Sequence, residues 1–102
     1  MPKGKITGEI KTGRVLIDGI ELKPKYSLKI RNHSPTGFSW GYAGSGPAQL
    51  ALAIMLEYLP PEKATLLYQD FKAEVIANIQ GDFSIDIDTV IGWIFWRGEV
   101  LN

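Results

Sequence analysis

An α+β fold is predicted by three features of the chain. The first part alternates apolar and polar residues around the turn pair Asp18-Gly19. The second half carries apolar residues at helical spacing. Between them, the glycine-rich run Gly41-Tyr42-Ala43-Gly44-Ser45-Gly46-Pro47 leads into the most apolar segment of the protein. The expectation is a small antiparallel sheet, or meander, from the N-terminal half packed against about three helices. The helix over residues 47–59 would be buried at the centre of a single domain spanning residues 1–102.

After a frayed start over residues 1–4, Lys5 to Lys11 reads as a weak strand closed by the turn Thr12-Gly13. Arg14 to Leu22 reads as a hairpin: Val15 and Ile17 share a face, Asp18-Gly19 is a two-residue hairpin signal, and Ile20 and Leu22 resume the alternation. From Lys23 to Gly46 little regular structure is expected. Pro24 interrupts the strand pattern, Leu28 and Ile30 suggest a short extended piece, and Asn32 to Gly37 is dense in turn formers. Phe38, Trp40 and Tyr42 fall on one face of a further strand over 38–42.

Pro47 suits the first helical position, with Ser45 or Gly46 as the cap. Between Ala48 and Leu59 the polar exceptions are Gln49 and Glu57, so this helix is expected to be buried nearly all round. Leu59-Pro60-Pro61 ends it, because a residue before proline avoids the helical region, and Pro61 opens the next. In that second helix Ala64, Leu67, Tyr68, Phe71, Val75 and Ile79 form the apolar stripe, and Gln80-Gly81-Asp82 breaks it. Asp86 is expected to cap a third helix with the stripe Ile87, Val90, Ile91 and Ile94, ended by Gly98.

Composition excludes several classes. There is no cysteine, hence no disulfide framework and no thiolate metal site, and His33 is the single histidine, so no transition-metal site is expected. No secretory signal follows the basic start, and the apolar run over 47–59 is far short of the roughly 20 residues that span a bilayer. A cytoplasmic protein without a membrane partner is the expectation. The formal net charge is zero, which speaks against gripping long nucleic acid by electrostatics alone. The charge is nonetheless uneven. Residues 1–31 carry eight Lys/Arg against three Asp/Glu, and residues 32–102 carry three against eight. This is either a basic surface for an anionic partner or a set of lysines that keeps exposed strand edges from pairing.

The glycine loop is the first candidate site. Gly41 and Gly46 have the spacing of a phosphate-binding P-loop, but Pro47 and Ala48 stand where lysine and a hydroxyl residue are needed. The dinucleotide fingerprint fails as well, with Gln49 in place of its third glycine. What survives is a helix N-terminus with unpaired N–H donors, suited to a phosphate or carboxylate, or a tight loop that merely packs. Trp40 and Tyr42 offer flat faces, and Gln49 points back toward a ligand or toward the loop's own backbone. The candidate ligand-binding set is therefore Asn32, His33, Trp40, Tyr42, Gly44, Ser45, Gly46 and Gln49, with Lys29 and Arg31 supplying positive charge. His33 lacks a second catalytic partner, so no catalytic residue is assigned, and a hydrogen-bonded turn explains Asn32-His33-Ser34 more simply. Asp82, Asp86 and Asp88 read as a helix-capping cluster. No cofactor is implied.

The second candidate is Trp93-Ile94-Phe95-Trp96, which covers nearly the whole circumference of a helix. Either the residues that follow fold back over it, or Trp93, Phe95 and Trp96 form a subunit interface. Self-association into a homo-oligomer is the expectation.

The run NHSPTGFSWGYAGSGPAQLALAIML at residues 32–56, followed by YQDFKAEVIA at 68–77, resembles the signature of a small family of uncharacterised domains. Its members, of about this length, occur in phages, plasmids and prokaryotic genomes. The resemblance implies a mobile-element accessory protein and supplies no activity. Two functions are expected: first, a non-catalytic protein that binds a small anion or nucleotide, a phosphate-bearing molecule, at the glycine loop. The alternative is a protein-interaction module or host-directed inhibitor acting through an oligomeric aromatic surface.

Overall fold

Asp18 and Gly19 both have positive φ, +54° and +82°, the backbone that a two-residue hairpin turn requires. They join β2 (Arg14–Ile17) to β3 (Ile20–Glu21), and β2 pairs on its other side with β1 (Lys5–Glu9), all antiparallel. This is the expected meander, with β1 ending before Lys11. The structure, a computed structural model, describes residues 4–98. Residues 1–3, where the sequence predicts fraying, and the residues after Gly98 lie outside the described residues. Gly4 itself is tied down, its carbonyl accepting from the Ile87 N–H at 2.9 Å.

A fourth strand, β4 (Phe83–Asp86), pairs antiparallel with β1 and completes the order β3-β2-β1-β4. Sequence patterning had assigned no strand here. Register then sorts the faces. Ile6 lies opposite Ile17 and Ile85, and Gly8 opposite Val15 and Phe83, so these share the face that meets the helices. Ile6 and Val15 are fully buried there. Lys5, Thr7, Glu9, Arg14, Leu16, Ser84 and Asp86 occupy the outer face. At Gly8 an added Cβ would stand 2.2 Å from the Phe83 ring, so the ring lies across the glycine and shields it.

Two expected extended pieces are absent. Residues Lys25–Ile30 form a short helix, α1, and Phe38–Tyr42 is irregular, with no strand pairing. Leu28 and Ile30 therefore belong to a helix. The central helix α2 (Ser45–Tyr58) starts before Pro47, with Gly44 in the cap position and its backbone extended. Proline is tolerated there because the first turn's N–H groups have no partner within the helix. Every residue from Gly46 to Met55 is buried, as the all-round apolar pattern predicts.

Leu59 ends α2 in an extended conformation, and α3 (Pro61–Glu74) follows with Pro60 as its cap. The second helix stops before Ile79. Val75 breaks it and a 3-10 turn, Ile76–Asn78, buries Ile76 instead. The last helix, α4 (Ile87–Trp96), buries the expected stripe Ile87, Val90, Ile91 and Ile94, and Gly98 stops it at φ +87°. Asp86 stands at the cap position without a side-chain cap bond, pairing instead with Lys5 Nζ at 2.8 Å, while Asp82 accepts from the Ile10 N–H. Asp86 thus ties β4 to β1 and Asp82 holds the Ile10 backbone rather than capping α4, while Asp88 lies in the first turn of α4 as the capping reading expects. The α-helices described are four rather than about three. α2 packs chiefly along α3 and also against α1 and the 3-10 turn, and Ile6 and Val15 close the core from the sheet.

Candidate functional site

Gln49 is fully buried in the first turns of α2, and all of its hydrogen-bonding capacity is used by the chain. Its Oε1 accepts from the backbone N–H groups of His33 at 2.8 Å and Ser34 at 3.0 Å. Its Nε2 donates to Ser27 Oγ at 2.9 Å and to the Arg31 carbonyl at 3.0 Å. Ser27 passes the chain on, its hydroxyl donating to the Pro24 carbonyl at 2.9 Å. A buried amide is stable only when satisfied, and four partners satisfy it completely. One side chain thus fastens α1 and the 31–34 turn to the central helix. His33 Nε2 lies 2.7 Å from the Tyr68 hydroxyl, which joins the same turn to α3.

The candidate ligand set divides accordingly. His33 and Gln49 are brought together, with exposed Asn32 beside them, but the polar atoms of Gln49 meet backbone and Ser27 rather than an open space. Trp40 is 2% exposed: its indole N–H donates to the Gly81 carbonyl at 2.6 Å and its ring meets Phe83 edge-on at 4.8 Å. Its faces belong to the core beneath β4. Tyr42 is half exposed and folds over the glycines. An added Cβ would lie 2.4 Å from its ring at Gly44, and at Gly46 3.2 Å from its hydroxyl and 2.8 Å from Ser39 Cβ. At Gly41, φ +88°, a Cβ would meet the Ile79 carbonyl at 2.8 Å. These three glycines permit close packing of the loop, with Gly46 itself buried and Ser45 exposed. Arg31 Nη1 donates to the Ile30 carbonyl, and Lys29 lines a different surface, between β3 and α1.

The aromatic helix resolves into buried and exposed members. Ile94 is fully buried and Trp93 half buried, its ring edge-on to Phe71 at 5.0 Å and its N–H donating to Glu74 Oε1 at 3.1 Å. Phe95 and Trp96 stand 54% and 71% exposed. The Arg97 guanidinium lies between the two tryptophans, 5.5 Å from the Trp93 ring centre and 5.7 Å from that of Trp96. It is itself bonded to Asp70 and Glu74 of α3. Leu66, 77% exposed, stands one turn before Asp70 on α3.

Sequence reasoning missed Ser27, Tyr68 and Arg97 as partners. Tyr68 carried a usable signal, a polar tip on an otherwise apolar stripe. Ser27 carried none, because its helix is too short to show a period.

No curated protein and no solved structure matches the chain. A model of a family of unknown function, DUF6166, matches residues 4–95, a span that holds the sheet, the Gln49 network and all but the last residue of α4, and the chain belongs to that family.

Proposed function

We propose that the protein is a non-catalytic interaction module that self-associates through the exposed aromatic end of α4. The observation that carries this reading is the exposure of Trp96: 71% of the residue faces solvent, with the Arg97 guanidinium 5.7 Å from its ring centre. With Phe95 it leaves two large aromatics exposed at the end of α4, which Arg97 ties to α3, and surfaces rich in exposed Trp and Phe mark contact sites. The saturated hydrogen bonding of Gln49 favours an architectural role for the turn it holds, which removes one reason for placing the function at the glycine loop. The resemblance of residues 32–56 to a family spread among phages and plasmids makes a mobile-element accessory role in the cytoplasm the context.

The test is solution mass by light scattering or sedimentation. A dimer or larger species is expected, with Trp96→Ala or Phe95→Ser giving a monomer that remains folded. A parent protein that stays monomeric at about 100 μM, weaker than most stable assemblies, rejects the reading.

A second reading, a small anion or nucleotide held at the 41–46 loop, is favoured by Tyr42, which stands half exposed beside Gly44 and exposed Ser45. Calorimetry with phosphate and a nucleotide panel tests it: binding that Tyr42→Ala abolishes supports it, and no heat with any of them removes it.

A further inference from the structure

The open cleft of about 560 Å³ between β3 and α1 is lined by Glu21, Lys23, Pro24, Lys25, Leu28 and Lys29. Its rim and its floor differ in chemistry. Lys23, Lys25 and Lys29 are exposed and form no ion pair with any described residue, whereas Pro24 and Leu28 are half buried and apolar. Lys25 and Lys29 stand four apart on α1, so one helix face presents both.

One wall of the cleft is the end of the sheet. Among the described residues β3 pairs with β2 alone, and the Leu22 N–H is turned inward, donating to the Val15 carbonyl at 2.8 Å. Ile20 also faces β2, opposite Ile17 across the two-residue turn. By the alternation of an antiparallel ladder, the N–H and C=O of Glu21 therefore point outward, along the open edge. Ile20 beside them is 75% exposed.

We propose that this cleft docks an extended, acidic segment of a partner protein that carries apolar residues between its carboxylates. Charge complementarity commits the site to an anion: three ammonium groups without an ion-pair partner among the described residues surround it. The apolar floor and the outward Glu21 backbone select a peptide among anions, since a peptide supplies side chains for Leu28 and Pro24 and a backbone to pair with the edge. The Glu21 carboxylate in the same wall disfavours a dense row of phosphates. β3 and β4 are the opposite edges of the sheet, and α4 leaves from β4. The cleft is thus a second surface, independent of the aromatic patch.

The test titrates a fluorescein-labelled Asp-Asp-Ile-Val-Asp-Asp peptide into the whole protein, following anisotropy and backbone amide shifts. Expected are saturable binding with shifts at Glu21, Lys25, Leu28 and Lys29, and affinity that falls several-fold between about 50 and about 300 mM salt as charges are screened. The double variant Lys25→Glu/Lys29→Glu, which touches no core residue, should melt like the parent and bind about tenfold more weakly. Equal binding of the peptide with asparagine at every aspartate overturns the proposal. So do shifts centred elsewhere, no binding at about 1 mM peptide, or tighter binding of an oligothymidine or an anionic vesicle under the same salt.

Discussion

The Gln49 side-chain oxygen receives the His33 backbone N–H at 2.8 Å, across sixteen residues of chain, and the Ser34 N–H at 3.0 Å. Replacing this amide with an apolar side chain of similar size leaves three groups without their partner, the His33 and Ser34 N–H groups and the Arg31 carbonyl, while the Ser27 hydroxyl keeps its bond to the Pro24 carbonyl. Each buried orphan costs about 1–3 kcal/mol, less where water can enter from the exposed side of the turn. Gln49→Leu is therefore expected to destabilise the protein by about 3 kcal/mol or more in urea unfolding. The His33 and Ser34 amides should lose hydrogen-exchange protection even under conditions where the variant stays folded. Retained protection there would show that another acceptor holds the turn.

Glycines of the same chain should respond in opposite directions. Gly46→Ala puts a methyl group 2.8 Å from Ser39 Cβ in a buried turn, and the resulting strain is expected to cost about 1–3 kcal/mol. Gly92 lies in α4 with no atom within 4 Å of an added Cβ. Gly92→Ala should stabilise by about 0.5–1 kcal/mol, through lower entropy of the unfolded chain and better helix propensity. Thermal melts of the two variants against the parent check both signs.

What was legible in the sequence divides along the same physical line as local and distant causes. The Asp18-Gly19 turn and the Gly98 stop could be read because each needs positive φ from its own residues. α2 was legible because its apolar content leaves burial as the sole option. α1 was not: six residues without a side-chain cap do not make a stable helix alone, and this one depends on Ser27 meeting Gln49 far along the chain. β4 was missed for a related reason. Phe83–Asp86 is short and ends on a charge, and it becomes a strand by pairing with β1 at the other end of the chain. Gln49 is expected from the sequence to point back toward the 41–46 loop, for a ligand or the loop's own backbone, whereas the backbone it holds is that of residues 31–34. Which backbone it would hold depended on α1, so the saturation of its four bonds could not be foreseen.

Tyr58 gives a pH-dependent prediction. Its hydroxyl is buried without a hydrogen-bond partner among the described residues, and its pKa is raised, first by burial and then by the charges of Glu57 and Asp18. Below about pH 10 the phenol is neutral in both folded and unfolded chains. Above it the unfolded chain loses the proton first, so stability falls as pH climbs toward the raised folded value. Tyr58→Phe removes that slope. At neutral pH it should be neutral or stabilising by up to about 1 kcal/mol, since it deletes an unsatisfied buried oxygen. Denaturation of parent and variant between neutral and strongly alkaline pH separates the two effects. A phenylalanine variant that is markedly weaker at neutral pH would mean the hydroxyl has a partner.

Arg97 joins the stability of α4 to the display of its aromatic patch. Its carboxylate partners Asp70 and Glu74 are 49% and 41% exposed, so each ion pair contributes at most about 1 kcal/mol after solvent screening. Contact with the Trp93 and Trp96 rings adds a similar amount, and the planar guanidinium can serve both carboxylates and both rings at once. Lysine cannot reproduce that fork. Arg97→Lys should therefore cost about 1 kcal/mol, and Arg97→Ala about 1–2, with tryptophan emission changed in both as the Trp96 ring is released. If the ordered ring is what the second copy recognises, both variants also weaken self-association while the chain remains folded. A double-mutant cycle between Arg97→Ala and Trp96→Ala, read by both unfolding and solution mass, distinguishes the roles. Coupling in stability without coupling in association would restrict Arg97 to bracing α4 against α3.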